Sequence, residues 1–266
     1  MQKDLHQDLH ILQLTDLHLF GEANGHMLGM NTRDSFLDVL ALSLQRFKHT
    51  DFILCTGDLV HDESAAGYQF LADSLKATGI PFACIPGNHD DINLMSNLCA
   101  PTQKEARIEL GNWQILLLNS QKQGCVEGRI DEQELAFLRT QLEQHSNLFS
   151  MICLHHPLVD LGSRWIDSLR CENGEQVLQQ IEQHSQAKLV CWGHAHQDYE
   201  QHRRQLQLFG TPSTCFQFKP GSQDFAIDLI PPGYRWFQLC EDGTFTSGVA
   251  RLTTLPAGLN ISVRGY

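Results

Sequence analysis

The sequence predicts an α/β fold whose β-sheets are covered on their outer faces by helices. Two observations predict it. Through roughly the first 200 residues, short apolar runs alternate with stretches of helical periodicity. Those runs are apolar at consecutive positions, as in strands buried on both faces, rather than at every second one. A third observation bounds the class: past about residue 196 the helical spacing stops and strand-like segments follow.

The elements follow in order. Residues 9–15 are a first apolar strand. Residues 31–49 carry Phe36, Leu37, Leu40, Leu44 and Phe47 at helical spacing, with Asn31 or Thr32 as N-cap. Residues 51–56 are a buried strand, and residues 64–78 a helix that Ser64 opens and Gly79 follows. Strands are expected at 81–85 and 113–118, a helix with acidic first residues at 131–145, and a strand at 149–154. A helix at 174–184 and a strand at 188–192 complete the alternation. Residues 199–211, 225–230, 234–241 and 244–252 read as strands and hairpins. No repeat, low-complexity tract or linker interrupts the chain. One domain over residues 1–266 is expected, strand-rich from about 197.

Composition narrows the function. The 266 residues are 42% hydrophobic and 19% charged, which excludes disorder, collagen and a small disulfide scaffold. The net charge of −12 disfavours a protein that tracks nucleic-acid backbones, so no nucleic-acid partner is expected. An anion can still bind where metal ions supply local positive charge. Fourteen histidines are many, and neutral imidazole is the commonest metal ligand. The nine cysteines are odd in number and contain no CxxC pair, which speaks against a disulfide framework or a thiolate zinc site. Several, such as Cys55 and Cys191, sit in apolar runs as small buried hydrophobes. Residues 1–10 are polar rather than signal-like, and no apolar run approaches the ~20 residues of a membrane helix. A cytoplasmic protein without a membrane span is expected.

Five strands run into polar residues of one kind. They are Asp16 and His18; Gly57, Asp58 and His61; Gly87, Asn88, His89 and Asp90; His155 and His156; and Gly193, His194 and His196. In α/β sheets ligands bind beyond the carboxyl ends of strands. Side by side, these strands would bring the Asp, Asn and His side chains to one spot. Alternate residues such as Asp16 and His18, or His194 and His196, can point the same way at a strand end and grip one ion or bridge two. Carboxylate, amide and imidazole donors without thiolates suit Mn²⁺, Fe or Zn²⁺. A bridging carboxylate sets two ions ~3.5–4 Å apart, the spacing of two-metal phosphatases and nucleases. Singly, each motif could equally be a turn or a cap; it is the ordered set that points to a dinuclear centre.

In this order the motifs resemble those of the calcineurin-like metallophosphoesterases: DxH, GDxx, GNH(D/E), a lone His, then GHxH. The resemblance extends to the bacterial class III 3′,5′-cyclic-AMP phosphodiesterases. It rests there on Leu28-Gly29-Met30-Asn31-Thr32, Ser168-Leu169-Arg170 with Gly174-Glu175, Thr211-Pro212-Ser213-Thr214-Cys215 with Gln217-Phe218-Lys219-Pro220, and the closing Gly265-Tyr266. It implies a sandwich of two mixed β-sheets flanked by helices. It also implies that Asp16, His18, Asp58 and His196 hold one metal ion and that Asp58, Asn88, His155 and His194 hold a second, with Asp58 bridging. The ions would be Fe or Mn, with Zn as an alternative. His155 rather than His156 would be the ligand, because the family's metal histidine lies two residues before a proline; His156 would then support it or pack under the loop.

The resemblance implies hydrolysis of cyclic AMP to 5′-AMP, which lowers intracellular cyclic AMP and so modulates its signalling. Substrate contacts are implied at His18, Asp58, Asn88, His89 and His196, with His89 as the catalytic group. Many members carry an acid three residues after the bridging Asp to orient that histidine. Here the position is His61, so Asp62 or Asp90 would have to serve, and His61 itself could face solvent. The loops 21–31, 160–173 and 211–221 could cap the site, with Trp165 or Phe216 on the base and Arg164 or Arg170 on the phosphate. The same metals would serve a phosphodiesterase for glycerophosphodiesters or another small diester. A non-catalytic scaffold on this fold would be expected to lack ligands or His89, and none is missing. An exposed C-terminal strand would offer an edge for a homodimer.

Overall fold

The computed structural model describes residues 8–99, 106–263 and 265. Tyr266 and residues 1–7, on which part of the sequence reading rests, lie outside them. In chain order the elements are β1 (Leu9–Leu14), β2 (His26–Met27), β3 (Met30–Asn31), α1 (Thr32–Arg46), β4 (Phe52–Thr56), α2 (Ala65–Ala77), β5 (Phe82–Ile85) and α3 (Ile92–Leu98). Then come β6 (Arg107–Leu110), β7 (Trp113–Leu117), α4 (Glu132–Gln144), β8 (Phe149–Cys153), α5 (Arg164–Asp167), α6 (Gly174–Ile181) and β9 (Ala187–Trp192). The last strands are β10 (Tyr199–Arg203), β11 (Leu206–Gly210), β12 (Gln217–Phe218), β13 (Ile227–Asp228), β14 (Gly233–Leu239) and β15 (Phe245–Arg251).

Two mixed sheets form. Sheet one runs β15-β14-β1-β4-β5, and sheet two runs β10-β11-β9-β8-β7-β6. In sheet one β1, β4 and β5 are parallel, and the antiparallel pair β14 and β15 closes one side. In sheet two β7, β8, β9 and β11 are parallel, with antiparallel edges β6 and β10. Strands beyond residue 198 therefore complete both sheets, and β15 is an outer edge.

The unalternating apolar runs have a physical reason. In β1, Ile11 packs between the sheets with Phe52, Leu54, Ile115, Met151 and Leu189, while Leu12 and Leu14 face Phe36, Val39 and Leu71 of the covering helices. On the far side Leu135, Leu138, Val177 and Ile181 of α4 and α6 cover sheet two. Each central strand is thus buried on both faces. The N-caps are Asn31 for α1, Ser64 for α2 and Asp131 for α4, each accepting a backbone N–H of the first turn.

Several elements depart from expectation. The predicted 225–230 strand is reduced to the two residues of β13, and α3, β6 and α5 carried too little periodicity to be read. Segment 199–211 is the hairpin β10–β11, whose second strand pairs in parallel with β9.

Candidate metal centre

Five parallel strands deliver the site: β1, β4 and β5 from sheet one, β8 and β9 from sheet two. The side chains do not alternate along a pleat, as the strand-end reading supposed. Every strand stops short, and five of the seven candidate ligands sit in left-handed turns. Asp16 (φ 52°), His18 (φ 45°), Asp58 (φ 50°), His194 (φ 62°) and His196 (φ 48°) all have positive φ without being glycine. Such backbone costs on the order of 1–3 kcal/mol per residue and persists where the surroundings over-determine it. Here they do: Asp16 N–H donates to Gly57 O at 3.0 Å and His18 N–H to Asp58 O at 2.9 Å, lacing the first two turns together. Asp16 also accepts the His194 N–H at 3.0 Å from sheet two.

Glycine is required beside these turns. A Cβ on Gly87 would lie 2.2 Å from Asp58 Oδ1, and one on Gly193 2.0 Å from Thr15 Oγ1 and 2.7 Å from Asp16 Oδ2. Gly57 has φ 95°, and its Cβ would meet the His155 ring at 2.3 Å.

The seven side chains named from the sequence come together. Asp58 Oδ2 lies 3.4 Å from His155 Nε2 and 3.7 Å from His18 Nε2, between two imidazoles, as a bridging carboxylate would. Its other oxygen accepts the His89 N–H at 3.0 Å. His196 Nε2 is 3.3 Å from both Asp16 Oδ1 and His18 Nε2. Asn88 Oδ1 is 3.0 Å from His194 Nδ1. Asp16, His18 and His196 form one triad, and Asp16, Asp58 and His155 another, each with its donor atoms within 4.8 Å of one another. Two rings are oriented by backbone: His155 Nδ1–H donates to Thr56 O at 2.8 Å, and His196 Nδ1–H to Phe216 O at 2.9 Å. Each bond turns Nε2 towards the carboxylates.

The donor set fits metal ions. His194 Nε2 is buried and, among the described residues, lacks a hydrogen-bond partner, while the buried His155 Nε2 faces the Asp58 carboxylate at 3.4 Å. Two carboxylates, an amide oxygen and imidazole nitrogens without thiolate are the donors of Mn, Fe or Zn.

The metal-free electrostatics are those of a compressed cluster. Burial drives the His18 and His194 imidazoles well below their usual range, and neighbouring imidazoles add to this. Burial acts on His155 in the same direction, but the Asp58 and Asp16 carboxylates outweigh it and raise the group to about 9. Asp58 shows the counterpart: burial pushes it up, but the His155, His89 and His18 imidazoles together outweigh burial and hold it well below the usual carboxylate range.

The surrounding residues clarify several expectations. His156 is held on both nitrogens, 2.8 Å from Ser120 Oγ and 3.0 Å from Val126 O, and so backs the site. The Asp90 carboxylate accepts N–H from Leu59, Val60 and Gly87 and the Tyr68 hydroxyl. Asp62 is engaged with Gly21 N and Ser64. The half-buried His61 ring lies 5.0 Å from His89 and 5.4 Å from His18, inside the cluster rather than out in solvent.

The three capping loops do meet. Met27, Met30, Ile166, Phe216 and Phe218 share one apolar cluster, against which Phe20, Trp165 and Phe225 pack. Phe216, however, is 1% exposed and lies against His18 and His196, which leaves no ring face for a base. Arg170 is paired with Asp160, and Arg164 reaches Asp224. The sequence reading missed Tyr68, Ser120 and Gln121. The last two were findable, because the run 113–118 is also a parallel strand that ends in polar residues, Asn119-Ser120-Gln121.

Residues 9–198 match the calcineurin-like phosphoesterase family. The chain belongs to that family. As a calcineurin-like phosphoesterase it is similar, over nearly its whole length, to curated bacterial proteins. It is 32% identical to the 3′,5′-cyclic adenosine monophosphate phosphodiesterase CpdA of Pseudomonas aeruginosa, over 96% of this chain and 94% of that one. The CpdA of Vibrio vulnificus is 36% identical over 92% of this chain and 90% of its own. A 3′,5′-cyclic-nucleotide phosphodiesterase of Nostoc is 34% identical over 95% and 96%. Among solved structures, a dimetal phosphatase from Danio rerio superposes with TM-score 0.65 at 14% identity, covering 91% of this chain and 98% of its own. At that identity the likeness concerns the fold alone.

Proposed function

We propose that this calcineurin-like phosphoesterase hydrolyses 3′,5′-cyclic AMP to 5′-AMP and so lowers intracellular cyclic AMP. One observation carries the substrate. The likeness to relatives named for this activity spans 90% or more of both chains, so it takes in the capping loops as well as the metal motifs.

We assign Asp16, His18, Asp58 and His196 to one ion and Asp58, Asn88, His155 and His194 to the other. Iron or manganese suits this donor set best, with zinc as an alternative. When bound, the two ions supply charge for the phosphate oxygens and acidify a water towards neutrality. The residues do the rest. Asp58 is held by its bond from His89 N–H with one oxygen left for bridging. Asn88 and His194 are fixed against each other. His89 is half-buried beside this array, and its ring meets His18 at 5.2 Å. From there it donates a proton to O3′ as water adds to phosphorus and the O3′–P bond breaks, and the proton that the water sheds returns to its ring. The products are a 3′-hydroxyl and a 5′-phosphomonoester, so atoms and charge balance. His18, Asp58, Asn88 and His196 border the same space and would contact the phosphate through the ions they hold.

All nine cysteines are free thiols, which suits a reducing cytoplasm. Among the described residues no helix is long and apolar enough to cross a membrane. The acidic balance argues against nucleic acid as substrate, and the open edge of β15 is the surface a homodimer would use.

The test is product analysis with Mn²⁺-loaded protein given cyclic AMP, a glycerophosphodiester or an aryl phosphodiester. Conversion of cyclic AMP to 5′-AMP, with no 3′-AMP, is expected. Cleavage of the other diesters with cyclic AMP untouched would overturn the substrate assignment and leave the metal centre standing.

A further inference from the structure

Ser120 and Gln121 lie just past the carboxyl end of β7, outside the ligand set. Each holds a turn that carries a ligand. Ser120 Oγ accepts the backbone N–H groups of both His155 and His156 at 3.2 Å, and the His156 ring nitrogen lies 2.8 Å from it. Gln121 Nε2 donates to Gly87 O at 2.8 Å and to Asp90 O at 2.7 Å. Those two carbonyls are the ends of the four-residue turn that contains Asn88 and His89. One amide NH₂ has two hydrogens, so a single side chain clamps both ends of the turn. Asn119 Oδ1 in turn accepts the Gln121 N–H at 2.9 Å and shapes the dipeptide.

The topology gives this grip its reach. The 87–90 turn follows β5 of sheet one, and Asp90 ties it to its own sheet through Leu59, Val60 and Tyr68. Gln121 ties it to sheet two. Ser120 meanwhile grips the turn after β8, which carries His155. Adjacent residues therefore span the two sheets and hold turns whose ligands, Asn88 and His155, are assigned to the same ion. Metal affinity depends on ligands held in place before the ion arrives.

We propose that Ser120-Gln121 is a positioning element for the second ion, with Gln121 setting the place of Asn88 and His89 relative to His155. The proposal rests on the assignment of Asn88 and His155 as ligands of one ion. Gln121 lies outside the assigned ligand set and acts through the turn it clamps.

The experiment is a calorimetric titration of metal-free protein with Mn²⁺, alongside cyclic-AMP kinetics. Gln121→Met keeps length and volume but removes both donors. Gln121→Asn keeps the amide but shortens its reach by one methylene. Ser120→Ala removes the other grip. Expected in each is a first equivalent bound as in the unsubstituted protein, and a second weakened roughly 10–100-fold. The kcat falls at limiting Mn²⁺, and KM for cyclic AMP stays unchanged. Two equivalents bound normally with normal kcat in both Gln121 variants would overturn the proposal. Equal weakening of both equivalents with a lowered melting temperature would overturn it too, as the mark of a merely structural residue. Asn88→Ala separates the levels: if it still binds both ions normally, the ligand assignment itself is wrong.

Discussion

His89 and His155 sit a few ångströms from the same carboxylate, yet the site uses them differently. His89 gives Asp58 its backbone N–H and keeps its ring at the half-buried mouth. His155 is fully buried, spends Nδ1–H on Thr56 O and turns Nε2 inwards. His89→Ala should therefore lower kcat for cyclic AMP by about 10²–10⁴-fold, the usual weight of a general acid, while the protein still takes up two metal ions. Steady-state kinetics and metal analysis of one preparation check both halves. For His155 the sign follows from its raised group. With its folded-state value at about 9 the ring carries a proton at neutral pH, and a metal must displace it. Metal uptake at neutral pH should release about one proton from this group, fading as pH rises past about 9, and apparent affinity should fall as pH drops. Calorimetry in buffers of different ionisation enthalpy reads the proton count.

At the scale of elements, the turns matter more than the strands that end in them. The motif residues were legible because chemistry restricts which side chains can hold ions, and all seven converge. How they converge was not legible. Asp16 and His18 are two apart, which on a strand means one face; the chain instead passes through left-handed backbone at both. Only contacts from distant residues, such as His194 N–H on Asp16, hold that conformation, and no local pattern announces them. Phe216 was misread for a related reason: an aromatic in a loop resembles a base-stacking platform until the fold buries it against His196. Tyr68 belongs to this scale as well. Its hydroxyl donates to Asp90 at 2.9 Å and accepts the Asp91 N–H at 2.8 Å, joining α2 to the start of α3. Tyr68→Phe leaves both partners short of a bond and should cost about 1–3 kcal/mol in urea unfolding of the metal-free protein. A loss below a few tenths of a kcal/mol would show that water takes over those bonds.

The whole molecule is a device for bringing two sheets to a common end. The alternation of apolar runs and helical segments made the outer helices legible, and the same runs explain the interior, where Ile11 and Leu54 meet Ile115 and Leu189. The paired sheets come with a cluster of two carboxylates and several imidazoles buried at their junction, repelling or desolvated in the absence of ions. Metal ions that bind the folded state alone should therefore stabilise it, by about 4 kcal/mol for a site filled at 1,000 times its Kd. Melting temperatures with Mn²⁺ and after chelation should differ by several degrees, and Asp58→Asn should narrow that gap.

The central claim, that two ions held by these seven residues carry the hydrolysis, is tested most directly by one titration. Metal-free protein is given Mn²⁺ in steps, and bound metal and 5′-AMP formation are measured on each sample. The account predicts no turnover without metal, two ions bound at saturation, and activity that follows occupation of the second. Full cyclic-AMP hydrolysis by the metal-free protein, or turnover complete with one ion bound, would contradict it.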